Sequence, residues 1–456
     1  MSFQPNFDFV EELRWRGLLH DAMPGTQELL NSEQVTGYVG FDPTADSLHI
    51  GNLVPITQLM HFQRAGHIPV ALVGGATGMV GDPSGKTDER KLLDVETINH
   101  NIACQKAQLA KFIDFGEGGN KAKLVNNYDW FKNWSFLEFI RDVGKHITVS
   151  YMMGKDSVRN RLESGGISFT EFTYQLVQGY DFLHLYKNHG CKLQMGGSDQ
   201  WGNIVAGLDL IRKVSGGTAH AFTIPLMAKS DGSKFGKTAS GAIWLDSEMT
   251  SPYAFFQFWV NADDADVEKF LKTFSFKSRV EIESLLKLHE ENPGKRDAHR
   301  ALARELTSLV HGDKAAQHAE IAAAALFGQG ELSEVDEETL RAALSQLPKV
   351  ELDKKETIPT WIDLASTAGI VKSKSDARRI IKEGGAYLNN QKISGEDFAP
   401  NKNDLITFDK SPIDTIYNWA QDMIDKLIEN EVLKQPNIIN AFKMVNIGDF
   451  VQPEFR

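Results

Sequence analysis

The chain has 456 residues, with 49 Lys and Arg against 61 Asp and Glu and a formal net charge of −12. Hydrophobic residues make up 41 % and charged residues 24 %, which is ordinary globular usage and excludes a fibrous or disordered chain. The longest uncharged stretches, such as Ile68 to Gly81, are too short and too rich in glycine for a membrane span. Asp8, Glu11, Glu12 and Arg14 break up any secretory apolar region at the N-terminus. Cys104 and Cys191 alone form neither a disulfide framework nor a zinc pattern, so a reduced cytoplasmic setting is expected. The acidic balance argues against a chain coated in nucleic acid but leaves room for a local basic patch.

In chain order, the first 30 residues read as an amphipathic helix and a turn, with Val10, Leu13, Leu18 and Leu19 at apolar positions. Val35 to Phe41 is a β-rich run closed by the turn Asp42-Pro43-Thr44. A helix is expected over 51–64, a strand over 69–73, then the glycine-rich stretch 74–86 and a helix over 94–114. Lys192 to Met195 reads as a later strand, followed by Gly196-Gly197-Ser198-Asp199-Gln200 and a helix through Arg212. Strand–helix alternation favours a parallel α/β sheet with ligands at the carboxyl ends of its strands. From about 250 to 326 helix formers dominate, residues 328–357 read as a polar linker, and from Ile358 the composition shifts again. Between Val371 and Lys392 six cations (Lys372, Lys374, Arg378, Arg379, Lys382, Lys392) face Asp376 and Glu383.

Three familiar signatures fail. A phosphate loop ending Gly85-Lys86-Thr87 needs glycine where Val80 stands, G-x-G-x-x-G is absent there, and Ser198 is followed two residues on by Gln200 rather than glycine. Other stretches fit phosphate chemistry. His49-Ile50-Gly51-Asn52 opens a helix, where free N–H groups and the dipole favour an anion. Lys234-Phe235-Gly236-Lys237-Thr238 puts two lysines three apart in a loop rich in Gly, Ser and Lys. Tyr174, Gln178 and Asp181 fall at i, i+4 and i+7 on one helix face among apolar residues, a pattern suited to a small polar ligand with an aromatic body.

Together, His49–Asn52 and Lys234–Thr238 resemble the two signatures of the class I aminoacyl-tRNA synthetases. The stretch Tyr38 to Leu48, Gly81-Asp82-Pro83-Ser84-Gly85-Lys86, Tyr174-x-x-x-Gln178-x-x-Asp181 and Gly196 to Asn203 are similar to the bacterial tyrosyl enzymes of that family, over roughly residues 7 to 400. The first motif ends in Asn52 where the family signature has His. The second reads Phe235, Gly236 and Thr238 where the signature has Met, Ser and Ser. The tail from about 405 to 456 matches nothing in the pattern.

The resemblance implies a Rossmann-like parallel-sheet catalytic domain (1–247), a helical anticodon-arm domain (248–330), a linker (331–357) and a small α+β RNA-binding domain with the unmatched tail (358–456). It implies tyrosine activation by ATP to tyrosyl-adenylate and transfer to a tRNA. Thr44, His49, Asn52, Lys86, Arg90, Lys234 and Lys237 would act on the phosphates or ribose. Tyr38, Asp82, Tyr174, Gln178, Asp181 and Gln200 would bind tyrosine. Gly40, Asp42, Gly51, Gly197 and Asp199 would join His49, Asn52 and Lys237 around ATP. ATP is expected with Mg²⁺ on its phosphates, with no dedicated metal cage and no organic cofactor. The implied partners are L-tyrosine, ATP, tRNA and a second copy of the chain, with no membrane. Two rivals remain in view: a tryptophanyl synthetase, against which Tyr38 paired with Asp181 favours a phenol over an indole, and an RNA-binding protein that has kept the fold and lost catalysis.

Overall fold

The computed structural model describes residues 3–84, 93–233, 235–238, 241–326, 335–344, 360–367, 371–388, 391–393, 395 and 406–408. Contacts divide the chain into two units, one of residues 1–250 and 263–278, the other of 251–262 and 279–456.

The first unit opens with α1 (Phe9–Trp15), capped by the Asp8 carboxylate accepting from Glu11 N–H, then β1 (Asp21–Ala22) and α2 (Thr26–Ser32). The single amphipathic helix expected over the first 30 residues is thus two short ones. The first stops because Gly17 turns to φ +70° and Leu18 N–H bonds back to Leu13 O, while the Arg16 guanidinium leaves the helix to donate to Lys272 O and Ser275 O. There follow β2 (Thr36–Phe41), α3 (Ile50–Arg64), β3 (Ile68–Val73), α4 (Thr77–Val80), α5 (Val95–Leu109) and β4 (Lys123–Asn126). A helical excursion of α6 (Tyr128–Phe131), α7 (Phe136–Asp142), α8 (Val149–Met153), α9 (Asp156–Ser164) and the 21-residue α10 (Phe169–His189) leads to β5 (Cys191–Gly197), α11 (Trp201–Ser215) and β6 (His220–Ile224). The hairpin β7 (Lys237–Thr238) and β8 (Gly241–Ala242) comes last before the chain leaves this unit.

Six strands form one sheet in the order β1-β6-β5-β2-β3-β4. All pair in parallel except the edge strand β1, antiparallel to β6. β3 shows why it can sit inside: every residue of Ile-Pro-Val-Ala-Leu-Val is apolar and five of the six are buried, the continuous pattern of a strand covered on both faces. Tyr38, Val70, Leu72, Phe182, Leu185, Cys191 and Leu210 meet in one buried cluster that joins the sheet to α10 and α11. Strand order reverses between β2 and β5, since β2 continues outward to β3 and β5 outward to β6. Such a reversal opens a crevice beyond the carboxyl ends of the two strands. There stand Gly40 to Asp42 and Gly196 to Gln200, both singled out from sequence.

The second unit holds α12 (Pro252–Val260); α13 (Asp264–Phe274) belongs to the first unit. After it come α14 (Arg279–Glu291), α15 (Asp297–His311), α16 (Asp313–Leu326) and α17 (Glu337–Leu344). α12 packs on α15, α16 and α17. Within 331–357, read from sequence as a linker, α17 is helical and buries Ala343 with Tyr253, Ala322 and Ala325. Then α18 (Trp361–Thr367) and α19 (Lys374–Glu383) share a small core of Trp361, Ile362, Ala377, Ile381 and Ala386. A three-stranded antiparallel sheet of β9 (Ala386–Leu388), β10 (Gln391–Lys392) and β11 (Ile406–Phe408) has β9 at its centre. The unmatched tail lies outside the described residues except for β11. No helix among the described residues is long and apolar enough to cross a membrane.

Candidate active site

α10 delivers Tyr174, Gln178 and Asp181 toward the crevice. Its span is set by the Ser168 cap, which accepts from Glu171 N–H, and by Gly190 at φ +63°. Asp181 is 1 % exposed, and its two oxygens are already claimed: Oδ2 accepts from Asn127 Nδ2 at 3.0 Å and Oδ1 from Trp130 Nε1 at 2.9 Å. Burial pushes its carboxyl up to about 8, Asp42 adding in the same direction against the pull of the two donors. Tyr38, on β2, has a buried hydroxyl with no hydrogen-bond partner among the described residues. Burial and then the Asp181 charge hold that phenol far from ionising, so it stays a neutral donor and acceptor.

Further along the crevice the polar groups are acceptors. Tyr174 Oη donates to Asp42 Oδ2 at 3.0 Å, which aims the hydroxyl proton away and leaves the oxygen as an acceptor. Gln178 Oε1 is buried with no partner among the described residues. Asp82, 7 % exposed, accepts from Ser84 N–H at 2.9 Å and Gln200 Nε2 at 2.8 Å, while Gln200 Oε1 accepts from Asn203. The other oxygen of Asp42 accepts from Thr77 Oγ1. Gly74 sits between these two: a Cβ there would collide with Thr77 Oγ1 and Asp42 Oδ1. Glycine is therefore what lets the β3 end pass beneath the Asp42 carboxylate.

At the start of α3, His49 is the N-cap. Its Nδ1 accepts from Gly51 N–H at 3.0 Å, and its own N–H donates to Asn52 Oδ1 at 3.0 Å, a reciprocal capping box. The free N–H groups expected here are therefore taken: Ile50 N–H goes to Ile243 O, Gly51 N–H to the imidazole and Asn52 N–H to His49 O. Because Nδ1 accepts, the neutral ring carries its proton on Nε2, the atom that can donate to an anion. The β8 side of the hairpin stitches the second signature to the first. Ile243 N–H donates to Gly236 O, and Leu245 N–H donates to Leu48 O. The His49 and Trp244 rings stand edge to face at 6.0 Å.

Thr44 is exposed in the turn after β2, and Gly40 is exposed at the end of that strand. Gly197 ends β5 and Asp199 follows it; that carboxyl is pushed up by crowding from its neighbours and by the Asp82 charge, although the residue as a whole is exposed. The backbone of Lys237 is placed in β7. Lys86, Arg90 and Lys234 lie outside the described residues. The structure thus gathers Tyr38, Asp42, Tyr174, Gln178 and Asp181 with Asp82 and Gln200, and separately joins His49–Asn52 to the hairpin of the lysine signature. It adds three residues that the sequence reading did not single out: Asn127, Trp130 and Gln194, which pairs in register with Tyr38 and has a buried Oε1 without a partner among the described residues. The Asn pair at the carboxyl end of β4 was the available signal for Asn127, since ligand groups gather at such ends.

The parallel sheet with its reversal crevice, and the helix start at His49 joined to the β7–β8 hairpin, are the arrangement expected of a class I synthetase, and comparisons with known proteins show that family. Residues 30–328 match the family described as tRNA synthetases class I (W and Y). The tyrosine–tRNA ligase of Bacteroides fragilis strain YCH46 is 54 % identical over 409 residues, covering 88 % of this chain and 95 % of that protein. The same enzyme of Porphyromonas gingivalis strain W83 is 54 % identical over 411 residues, with the same coverage of 88 % and 95 %. Among solved structures, a C-terminally truncated mitochondrial tyrosyl-tRNA synthetase of Aspergillus nidulans superposes with a TM-score of 0.63 at 35 % identity, covering 70 % of this chain and 94 % of that one. The chain belongs to the tyrosine–tRNA ligase family.

Proposed function

We propose that the space between Tyr38 and Asp181 takes the phenol of the tyrosine that this ligase activates, with ATP lying along the carboxyl ends of β2 and β5. The observation that carries the reading is the complementary pair: a buried hydroxyl without a partner among the described residues beside a carboxylate fixed from behind by Asn127 and Trp130. A substrate phenol donates to Asp181 and accepts from Tyr38. Phenylalanine would leave the Tyr38 hydroxyl dry and unpaired, which costs about 1–3 kcal/mol, and would bring Asp181 no donor of its own. The acceptors Tyr174 Oη and Gln178 Oε1 and the anion Asp82 suit the substrate ammonium, and Gln200 orients Asp82.

In the first step a tyrosine carboxylate oxygen attacks the α-phosphorus of MgATP, the bond to the β-phosphate oxygen breaks, and pyrophosphate leaves. The substrate supplies the nucleophile, so the protein's task is positioning and stabilising charge. We assign the phosphates to Thr44, His49 through Nε2–H, Lys86, Arg90, Lys234 and Lys237. Asn52 and Asp199 take the ribose, while Gly40, Asp42, Gly51 and Gly197 shape the wall around it. In the second step a terminal ribose hydroxyl of the tRNA attacks the tyrosyl carbonyl and AMP departs. ATP–pyrophosphate exchange tests this directly: tyrosine drives it, and phenylalanine or tryptophan drives it at least 10³-fold less well. Equal exchange with tryptophan would overturn the Tyr38–Asp181 assignment.

We assign 1–247 to catalysis, 248–330 to the anticodon arm, 331–357 to a connection and 358–456 to a small RNA-binding domain, acting in the cytoplasm. Exposed Lys372 and Lys382 on and before α19 would contact tRNA phosphates. Arg379 is already paired with Asp376 and Glu383, and Lys374 with Asp363. A homodimer completes the reading. Among the described residues, seven of the thirteen exposed large hydrophobic ones fall between 136 and 169, with Phe136, Leu137, Val149 and Phe169 from 63 to 77 % exposed. A cluster of that kind marks an interface, and a second copy is the commonest occupant. Replacing both Phe136 and Leu137 with Asp should convert a protein of twice the chain mass into a monomer in sedimentation, with the circular dichroism unchanged. A variant that sediments like the parent places the interface elsewhere.

A further inference from the structure

The chain leaves the first unit after Thr250, builds α12 in the second, returns for α13, and leaves again after Ser278. The returning helix turns one face to the stretch that carries the lysine signature. Asp266, Phe270 and Phe274 are spaced by four and share that face. The Asp266 carboxylate, 3 % exposed, accepts from Ser230 N–H at 2.8 Å and from Ser230 Oγ at 3.2 Å. It is not the helix cap, because Asp263 fills that role by accepting from Ala265 N–H at 2.8 Å. Lys269 Nζ donates to Ala228 O at 2.6 Å. Phe235, itself within the signature, is 9 % exposed, with its ring 5.2 Å from Phe270 and 5.4 Å from Phe274. The next residue passes close to the start of α3: Gly236 has φ +85°, a Cβ there would stand 3.2 Å from Ile50 Cγ1, and its carbonyl accepts from Ile243 N–H.

The described residues of this stretch are thus tied to α13 at Ala228, Ser230 and Phe235. We propose that α13, through Asp266 and the Phe270–Phe274 pair, positions the second signature, with Lys237 on β7, for pyrophosphate departure. These residues would set the rate of adenylate formation without setting tyrosine affinity. The proposal rests on the phosphate role given above to Lys234 and Lys237. A buried carboxylate accepting two donors from one residue fixes Ser230 far more tightly than apolar packing could, and its loss releases the base of the stretch. Displacing a charge-stabilising group by about 1 Å costs on the order of 10²-fold in rate.

The test uses the full-length protein with Asp266→Asn, Phe235→Ala and Phe235→Met, and reads tyrosine Kd by equilibrium dialysis and kcat by ATP–pyrophosphate exchange. Asp266→Asn and Phe235→Ala should each lower kcat about 10- to 100-fold while tyrosine Kd stays within twofold. Phe235→Met, which refills the space between Phe270 and Phe274, should recover most of the rate. Exchange within twofold of the parent in both damaged variants overturns the proposal, and so does a loss of tyrosine affinity parallel to the loss of rate. Lys237→Ala separates the two layers. Exchange that survives it unseats the role of that lysine, whereas a dead Lys237→Ala beside an untouched Asp266→Asn unseats only the role of α13.

Discussion

Asp181→Asn should lower kcat/KM for tyrosine by roughly 2–4 kcal/mol, about 30- to 1000-fold, and erase most of the preference over phenylalanine. The amide matches the carboxylate in shape but turns one donor toward Asn127 Nδ2 or Trp130 Nε1, so one of the two supporting bonds is lost with the charge. The acid dependence of tyrosine binding should vanish in the same variant. In the unliganded protein burial holds the Asp181 carboxyl at about 8. A phenol donates best to the ionised form, so below that value tyrosine binding must expel a proton. Tyrosine Kd in the parent should therefore tighten from pH 6 to pH 8, by up to tenfold per unit, and stay flat in Asp181→Asn.

The same group makes a statement about stability, and its sign is opposite to that of an ion-paired carboxylate. Its native pKa lies above the unfolded value of about 3.9, so the native state holds the proton more firmly. The stabilisation is complete below about pH 4 and is lost as pH rises toward 8. Calorimetry of parent and variant across this window separates the two effects. An Asp181→Asn enzyme that still rejects phenylalanine and keeps the parent pH profile for tyrosine would remove Asp181 from phenol recognition.

His49→Asn should lower the exchange kcat by about 10²- to 10³-fold, the worth of one preorganised donor on a transition-state phosphate, while tyrosine Kd changes less than twofold. Asparagine is chosen because it caps helices well, so the Nδ1-to-Gly51 contact has a substitute and melting should move little. The imidazole reaches further. Its cap contact assigns the Nε2 proton, and its ring packs on Trp244 beside the hairpin of the second signature. An unchanged kcat in a folded His49→Asn enzyme would reduce His49 to a cap.

What was legible in the sequence is what has a local pattern. The apolar run of β3, the turn after β2 and the four-residue spacing on α10 all declare themselves within a few residues, and each is where it was read. The surroundings of Asp181 were legible only in half. Tyr38 and Asp181 lie on elements with clear periodicity. Asn127 and Trp130, which fix Asp181 from behind, come 54 and 51 residues earlier in a run of short helices with no common period. The start of α3 was misjudged for a related reason. Its exposed N–H groups were inferred from helix geometry alone, whereas Ile50 finds its acceptor at Ile243, nearly two hundred residues on. The return of α13 was equally hidden, since 250–326 is helix-forming throughout and composition does not say which helix belongs to which unit.

The threading of α13 has a bearing on how the protein can be made. During synthesis the sheet and its crevice are complete by β6, yet Phe235 and Ser230 have their partners only once the chain has grown past Phe274. A whole helix of the other unit, α12, must emerge first. The stretch 228–238 therefore gains its partners on α13 late. A fragment trimmed after Thr250 would keep every strand of the main sheet and still lack the apolar seat for its own signature residue. That late step follows from the order of the chain itself, since α13 completes the first unit only after part of the second has been made.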